Sequence, residues 1–416
     1  MNLRCLLVLA LAGTCGVALP GIAAEPLRLD QAVSKALEAN PSFAAERADL
    51  RATQARAARE ALQKPLTVGG EFENFGGTGA LAGVRSSETT LRIGRVIELG
   101  GKRSAREALG QAEINQQLNQ ADFTRIGVVT TTKLRFATVM AAQERLAFAK
   151  ERVVLAQRTR REVSAWVNAA RNPDSDLRSA EIAVAEAELE LEDAEHELES
   201  ARVSLASTWG ATSPDFSEAQ DANEVVPEPI PFDALLRRLP LTPEQRSLAL
   251  SRATAEARLR VAEASAKPDL DVSLGVRRLE GTDDQGLVMS VSVPLGNRRR
   301  SAFSVTESQS EIQAIDARTD AQRNERYQLL FGRYQELLHA RHEVQRLRDT
   351  MIPKAEQALA ITRRGFEEGR FAFLLLDQSQ QKLFELRLRA VEATARFHML
   401  SAEVEGLTAT AQDALP

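Results

Sequence analysis

The segment LRIGRVIELGGKRSA, residues 91–105, changes from a strand pattern to a helix pattern at a pair of glycines, Gly100 and Gly101. Apolar and polar residues alternate before the pair, which is the period of a strand with one exposed face, and glycine lets the backbone bend sharply. The segment MSVSVPLGNRRRSA, residues 289–302, has the same order around Gly296. Each segment predicts a strand, a turn at glycine, and then a helix that begins with basic residues. The repetition predicts two related halves of one fold.

A further strand precedes each of these turns and is opened by a Lys-Pro pair, at 64–65 and at 267–268. Apolar residues again alternate with polar residues in both. The sequence therefore predicts one hairpin in each half. The four predicted strands are about 66–75, 88–98, 269–278 and 286–295.

Long segments without helix-breaking residues follow the hairpins. The predicted long helices are about 103–169 and 175–208 in a first repeat, 25–213, and about 299–367 and 372–407 in a second repeat, 232–409. At 1.5 Å per residue the longest would extend on the order of 100 Å. Pro353 is expected to kink or interrupt the third helix. An acidic, proline-rich linker at 214–231 joins the repeats, and 410–416 form a small polar tail.

The helix predicted at 175–208 carries two apolar stripes with a seven-residue repeat. The first stripe is Leu177, Ala180, Val184, Ala187, Leu191, Ala194, Leu198, Ala201 and Leu205. The second stripe is Ile182, Leu189, His196 and Val203. Two stripes predict two neighbours, as in a ring of helices, whereas an ordinary antiparallel coiled coil needs one.

Residues 1–24 are predicted to be a cleaved secretory signal, because an apolar run follows Arg4 and small residues follow the run. The two cysteines, Cys5 and Cys15, both lie inside this segment, so the mature chain has no disulfide or thiol chemistry. Lipidation at Cys15 is the less favoured alternative, because the residues before it fit a lipobox poorly. No later run reaches 18 apolar residues, which excludes a membrane-spanning α-helix but not a membrane-spanning strand.

Composition narrows the function classes further. Aromatic residues make 5% and charged residues 27% of the chain, a balance that suits long helices. The net charge is −5, so the chain lacks the overall positive charge that is typical of a nucleic-acid-binding protein.

The strand length is the main indication of a membrane. About nine residues allow a tilted strand to cross the hydrocarbon layer, where every backbone N–H and C=O must be paired. Four strands cannot close a barrel, so copies from other chains must complete it, and three chains would supply twelve strands. The fold class predicted is mainly α with a small β part, in which long α-helical hairpins form an α-barrel and four strands per chain contribute to a trimeric 12-stranded transmembrane β-barrel. The alternative is a four-stranded sheet in a soluble protein, with one face exposed to solvent.

With these elements in place, the chain resembles the TolC-like outer-membrane efflux channels over its whole mature length. FENFGG (72–77) and ETTLRIGRVIELGGKR (88–103) are similar to the outer-membrane component of cobalt-zinc-cadmium type cation exporters. The resemblance implies a homotrimer in outer-membrane lipid with a periplasmic helical tunnel. It also implies a periplasmic adaptor and an inner-membrane RND-type pump as partners. The second turn, LGNRRR, departs from the ELGGKR pattern.

Individual polar residues give weaker indications. Asp174, Asp176 and Asp377 lie near the two predicted helical tips, where three-fold symmetry would make acidic rings that favour cations. The simpler interpretation of these aspartates is helix capping and interaction with the helix dipole. Gly100, Gly101 and Gly296 are assigned to the strand-to-helix turns. Their basic neighbours, Lys102, Arg103 and Arg298 to Arg300, either contact lipid head groups or are solvated.

No catalytic constellation, cofactor site or metal site is predicted. His339 and His342 are three residues apart on one helix and could share a metal ion, but a solvated helix face is the favoured interpretation. His196 falls on the second stripe and is assigned to packing or to an interface rather than to metal binding.

The leading hypothesis is a passive trimeric duct in the outer membrane, without enzymatic activity, that passes heavy-metal cations from an adaptor and pump to the exterior. One alternative keeps the duct but changes the cargo to drugs or secreted polypeptides. A second alternative is a soluble periplasmic coiled-coil structural protein.

Overall fold

The computed structural model describes residues 26–220 and 226–413. The predicted signal segment with its two cysteines, part of the predicted linker, and the last residues of the tail lie outside the described residues. The elements that follow carry labels in chain order.

The sheet contains four strands, all antiparallel, in the order β2-β3-β5-β6. These strands are β2 (Leu66–Glu73), β3 (Glu88–Ile97), β5 (Leu270–Leu279) and β6 (Asp284–Ser292). The pairing of β3 with β5 joins the two predicted hairpins into one sheet, with β2 and β6 as its unpaired edges. Ile93 lies opposite Val68 on one side and Leu274 on the other, so the apolar residues of all strands share one face.

Helices make up most of the rest of the chain. They are α1 (Leu29–Ala39), α2 (Ser42–Glu60), α3 (Lys102–Asn168), α4 (Asp174–Ala206), α5 (Phe232–Arg238), α6 (Pro243–Ser265), α7 (Asn297–Arg346), α8 (Ile352–Glu367) and α9 (Phe373–Thr408). Within the described ranges, none of these helices combines the length and apolarity that crossing a membrane requires.

The helix predicted at 299–367 is divided in two. A π-helical turn, Leu347–Met351, separates α7 from α8. Pro353 lies in the first turn of α8 and follows the π turn without a break in the helical backbone, so its missing N–H and its ring disturb the regular α-helical hydrogen bonds to the preceding turn. The interruption is therefore placed by the proline that the sequence singled out.

The two stripes of α4 differ in burial. The first stripe packs on α3, with Ala187 and Leu205 fully buried. The second stripe is exposed in the single chain, where Ile182 and Leu189 retain 59% and 60% of their accessible surface. Its neighbour is therefore not another described part of this chain. Helix α9 has an apolar stripe of the first kind, which is buried against α3, α7 and α8; its members include Leu376, Leu383, Leu386, Ala390, Ala393, Phe397, Leu400 and Val404.

The predicted linker contains structure that the sequence did not predict. A two-residue strand, β4 (Ala219–Gln220), pairs in parallel with β1 (Leu27–Arg28). Phe216 and Ala219 are buried in a cluster with Phe136 of α3. A strand of two residues has no periodicity to detect, so only its burial reveals that this part of the linker packs on the first repeat.

Candidate functional site: sheet faces, strand-to-helix elbows and helical tips

The first face of the sheet is apolar and uncovered. Its members are Leu66, Val68, Phe72, Leu91, Ile93, Leu274, Val276, Leu287, Met289 and Val291. Val68 is 79% exposed and Leu287 is 81% exposed. A patch of this size is larger than single scattered surface hydrophobics and marks a surface that contacts lipid or protein.

The second face of the sheet carries paired charges. Arg277 lies 2.9 Å from Glu73 and 2.8 Å from Glu88, and its Nε donates to Thr90 Oγ1 at 2.9 Å. Arg92 pairs with Glu71 on the same face. These ion pairs connect three strands, so the polar face is cross-linked while the apolar face is bare. Sequence reasoning identified the alternation but not the pairs, because pairing depends on the register of β5 against β3.

The first elbow, residues 98–106, turns β3 into α3. Gly100 and Gly101 have φ angles of +83° and +73°, which side chains with a Cβ adopt only with strain. A Cβ on Gly100 would also lie 2.5 Å from the side chain of Lys267. These two glycines therefore permit the bend, as the sequence predicts.

Ion pairs fix this elbow. Glu98 and Arg106 form a bidentate pair with N–O distances of 2.7 and 2.8 Å, and Lys102 lies 2.6 Å from Asp269. Arg103 pairs with a glutamate on its own helix at 3.0 Å. The interpretation of Lys102 as a lipid-contacting or solvated cation is therefore wrong, because its side chain is only 11% exposed and pairs with Asp269. The side chain of Arg103 is 49% exposed despite its ion pair, which agrees with the interpretation as a solvated cation.

We expect Glu98→Gln to lower the free energy of unfolding at pH 7 by about 2–3 kcal/mol, because Arg106 would lose its charged partner in a mostly buried position. Hydrogen bonds from Arg106 lower the pKa of Glu98 from its ordinary value of 4.5. A carboxyl with a lowered folded-state pKa stabilises the fold above its unfolded-state pKa, and this contribution is lost as the pH falls through the folded-state value. The thermal melts of the variant and the native protein should therefore approach each other as the pH falls, and coincide below the lowered folded-state pKa of Glu98.

The control for this prediction is Glu181→Gln, since Glu181 pairs with Arg178 in a largely exposed position. Its melting temperature should match that of the native protein within error. Equal melting of native protein and Glu98→Gln at pH 7 would show that the elbow does not depend on this pair.

The second elbow, residues 293–303, turns β6 into α7. Gly296 has a φ of +90° and precedes the helix, as predicted, but a Cβ on it would contact nothing within 4 Å. Arg298, Arg299 and Arg300 are all exposed. No acidic residue lies in the first turn of α7 and no side chain caps it. The two elbows thus share their backbone path and differ in their charge pairing.

The helical tips lie at the far ends of the helices from the elbows. Trp166 of α3 stacks on Phe366 of α8, with ring centroids 4.5 Å apart and planes inclined by 19°. Phe366 also contacts Phe373 of α9, at a centroid distance of 6.3 Å. The turns themselves contain residues with positive φ, Ala170 and Gly369. An aromatic cluster therefore holds the tips of the two repeats together within one chain.

Two of the three aspartates assigned to the predicted tips lie at the start of a helix. Asp174 and Asp176 lie in the first turn of α4, directly after Pro173. Asp176 accepts a hydrogen bond of 2.8 Å from the side chain of Asn172. Both positions suit carboxylates near the positive end of the helix dipole.

The third aspartate has a different setting. Asp377 lies in the second turn of α9 and faces a groove that Arg152 of α3 also lines. Gln381 donates a hydrogen bond of 2.9 Å to its carboxylate. Burial raises the pKa of Asp377, with a smaller contribution from Glu186 and an opposing one from Arg152. The three aspartates are thus divided between the two hairpins.

The histidines are dispersed. His339 and His342 are exposed on α7, and His196 is exposed on the second stripe of α4. Among the residues that the structure describes, no group of three or more His, Cys, Asp or Glu side chains has the geometry of a metal site.

Comparison with known proteins places this architecture in a family. The chain is 31% identical over 384 residues to the cobalt-zinc-cadmium resistance protein CzcC of Cupriavidus metallidurans, covering 89% of this chain and 87% of that protein. The chain belongs to the TolC-like outer-membrane efflux protein family. The nickel and cobalt resistance protein CnrC of the same organism is 30% identical over 310 residues, covering 73% of this chain and 72% of that protein. No family model matches the chain.

The TolC-like fold is also found among solved structures. A structure of CusC matches with a TM-score of 0.78 and covers 92% of each chain at 13% identity, which shows a shared fold. The homologues are efflux channels rather than enzymes. The mainly helical chain with its small β part agrees with the predicted fold class at this level.

Proposed function

We propose that this TolC-like protein is the outer-membrane channel of a tripartite efflux system, a passive duct that carries heavy-metal cations from the periplasm to the exterior. The observation that carries the proposal is the sheet, which has one bare apolar face, one charge-paired polar face and two unpaired edges. In a bilayer the apolar face meets lipid and the polar face meets water. The strands then need neighbours at both edges, because an open edge is not tolerated in hydrocarbon.

The assembly we propose is a homotrimer. Each chain contributes four strands, so three chains supply twelve, and the edge of β6 pairs with the edge of β2 in the next chain. The second stripe of α4 supports the same arrangement in the helices, because it is apolar, seven-residue periodic and uncovered in the single chain. The helices then form a periplasmic tunnel below the barrel, after removal of the predicted signal segment 1–24.

The cargo is inferred from the relatives. Two relatives that are 31% and 30% identical to this chain are named for resistance to cobalt, zinc and cadmium and for resistance to nickel and cobalt. Divalent cations of these metals are therefore the proposed substrates. The partners we propose are a periplasmic adaptor at the tips and an RND-type pump in the inner membrane.

Deletion of the gene in its host tests the proposal. We expect the deletion strain to lose tolerance to zinc, cobalt, cadmium or nickel several-fold, and the native gene on a plasmid to restore it. If the deletion strain kept its tolerance to all four metals and became sensitive to drugs, the channel would carry drugs rather than metal cations. Recovery of the mature protein in the soluble periplasmic fraction would contradict the channel itself.

We also propose that the aspartates at the tips favour cations at the entrance. The support is the position of Asp174 and Asp176 at the free start of α4 and of Asp377 in a groove near the same end. In a trimer each becomes one member of a ring. The deletion strain carrying Asp174→Asn with Asp176→Asn should regain less metal tolerance than with the native gene, at equal protein level. Full recovery would limit these two residues to their interaction with the dipole of α4, since no side chain caps this helix.

A further inference from the structure

The two elbows differ in how their cations are neutralised. In the first elbow, Lys102, Arg103 and Arg106 each pair with a carboxylate, at N–O distances of 2.6, 3.0 and 2.7 Å. In the second elbow, three consecutive arginines, 298–300, make no ion pair with any described carboxylate. The second repeat therefore keeps the positive charge of this turn and lacks the acids that balance it in the first.

The unbalanced charge lies at an unfavourable place on its helix. Arg298, Arg299 and Arg300 occupy the first turn of α7, where free N–H groups already form the positive end of the helix dipole. Cations there repel the dipole, and the first turn contains no acidic residue to offset them. An anion bound at this turn would interact favourably with the arginines and with the helix start.

The surroundings of these arginines are apolar. Leu295 is 92% exposed, Phe303 is 76% exposed, and Val293 directly follows the apolar face of β6. Bare apolar side chains next to long cationic ones are typical of the interface of a bilayer, where the stems lie among acyl chains and the charged ends reach the phosphates. The residues of the second elbow are therefore typical of a protein surface at the level of the lipid head groups rather than of a surface in water.

A neighbouring chain is a poor occupant of the same surface. In the proposed trimer β6 pairs with β2 of the next chain, which brings the end of α2 and the start of β2 to this level. The one carboxylate among residues 59–65 is Glu60, and Arg59 already pairs with it at 2.9 Å. Lys64 adds another cation. The charges of the two surfaces are therefore not complementary.

We propose that the second elbow binds the phosphate groups of anionic phospholipids in the leaflet that faces the helices. Arg298, Arg299 and Arg300 contact the phosphates, and the acyl chains cover Leu295 and Phe303. This inference rests on the proposed function, since it requires the sheet to cross a bilayer. It adds a lipid specificity to the channel and assigns it to one of the two elbows.

The test uses the full mature protein, extracted as an oligomer in mild detergent. The oligomer is mixed with phosphatidylglycerol and phosphatidylethanolamine, and the lipids it retains are counted by native mass spectrometry. We expect the native protein to retain phosphatidylglycerol preferentially. Since each arginine near an anionic surface favours anionic lipid about fivefold, the variant Arg298→Gln/Arg299→Gln/Arg300→Gln should lose most of that preference. Replacement of the same three residues by lysine should preserve it.

A matched control removes three exposed arginines from the other end of the molecule, Arg160, Arg161 and Arg171. This variant should keep the lipid preference of the native protein. An unchanged preference in the glutamine variant would overturn the inference. Full competition by glycerophosphoglycerol, which has the head group without acyl chains, would also overturn it. If the glutamine variant no longer formed the oligomer in phosphatidylethanolamine alone, the arginines would be assigned to contacts between subunits, and the inference would again be overturned. A native protein that is monomeric would overturn the proposed function instead.

Discussion

Replacing Gly275 by alanine is expected to disrupt the pairing of β5 with β3 and to abolish assembly of the proposed trimer. Gly275 lies in β5 opposite Arg92 of β3. A Cβ at this position would be 2.5 Å from the carbonyl oxygen of Leu91 and 3.1 Å from the Cα of Arg92. Both contacts are to backbone, so no side-chain rotation relieves them, and the strands must separate or shift.

We expect a cost of about 2–3 kcal/mol in each chain from this overpacking. Because three copies would carry the same defect, the assembled barrel should be affected more than the single chain. The measurement is the fraction of membrane-extracted protein that migrates as an oligomer before boiling and as a single chain after boiling.

Gly286 provides a matched control within the same sheet. It lies on β6, on the same polar face, and a Cβ on it would meet nothing within 4 Å. The variant Gly286→Ala should assemble like the native protein. If Gly275→Ala assembled equally well, the close approach of β3 and β5 would not exist in the membrane.

The second large effect is expected from Leu189→Asp on the second stripe of α4. Leu189 is 60% exposed in the single chain, so the substitution should leave the helical content and folding of one chain unchanged. In the proposed trimer the same residue is covered by a neighbouring chain, and an unpaired buried charge costs about 3 kcal/mol at each interface. The expected result is a folded protein that no longer assembles and does not restore metal tolerance to the deletion strain.

Leu189→Met controls for the change of side chain, because methionine keeps the volume and apolar character of leucine. This variant should assemble and restore tolerance. Circular dichroism distinguishes failure of assembly from failure of folding. Normal oligomers of Leu189→Asp would show that the second stripe does not face a neighbouring chain.

The elements of this fold could be read from the sequence because local patterns determine them. Alternation with a period of two indicated the four strands, and segments without helix-breaking residues indicated the long helices. The bounds of these elements in the structure lie within a few residues of those predicted. Gly100, Gly101 and Gly296 were assigned to the turns, and all three have positive φ. Pro353 marked the π-helical interruption between α7 and α8.

Features that depend on long-range contact could not be predicted in this way. The pairs of Lys102 with Asp269 and of Arg277 with Glu88 join residues more than 160 positions apart and follow from the register of β3 against β5. The partner of Lys102 does follow directly on the Lys-Pro pair at 267–268, which was the one available signal. No sequence signal indicated the pairing of β4 with β1.

The central claim is that one chain supplies too few strands to enclose a pore and completes it with identical chains. Native mass spectrometry of the protein extracted from outer membranes in mild detergent tests this most directly. We expect a species with three times the mass of one mature chain, which dissociates on heating. A monomer under the same conditions, with no β-rich heat-modifiable species, would contradict it.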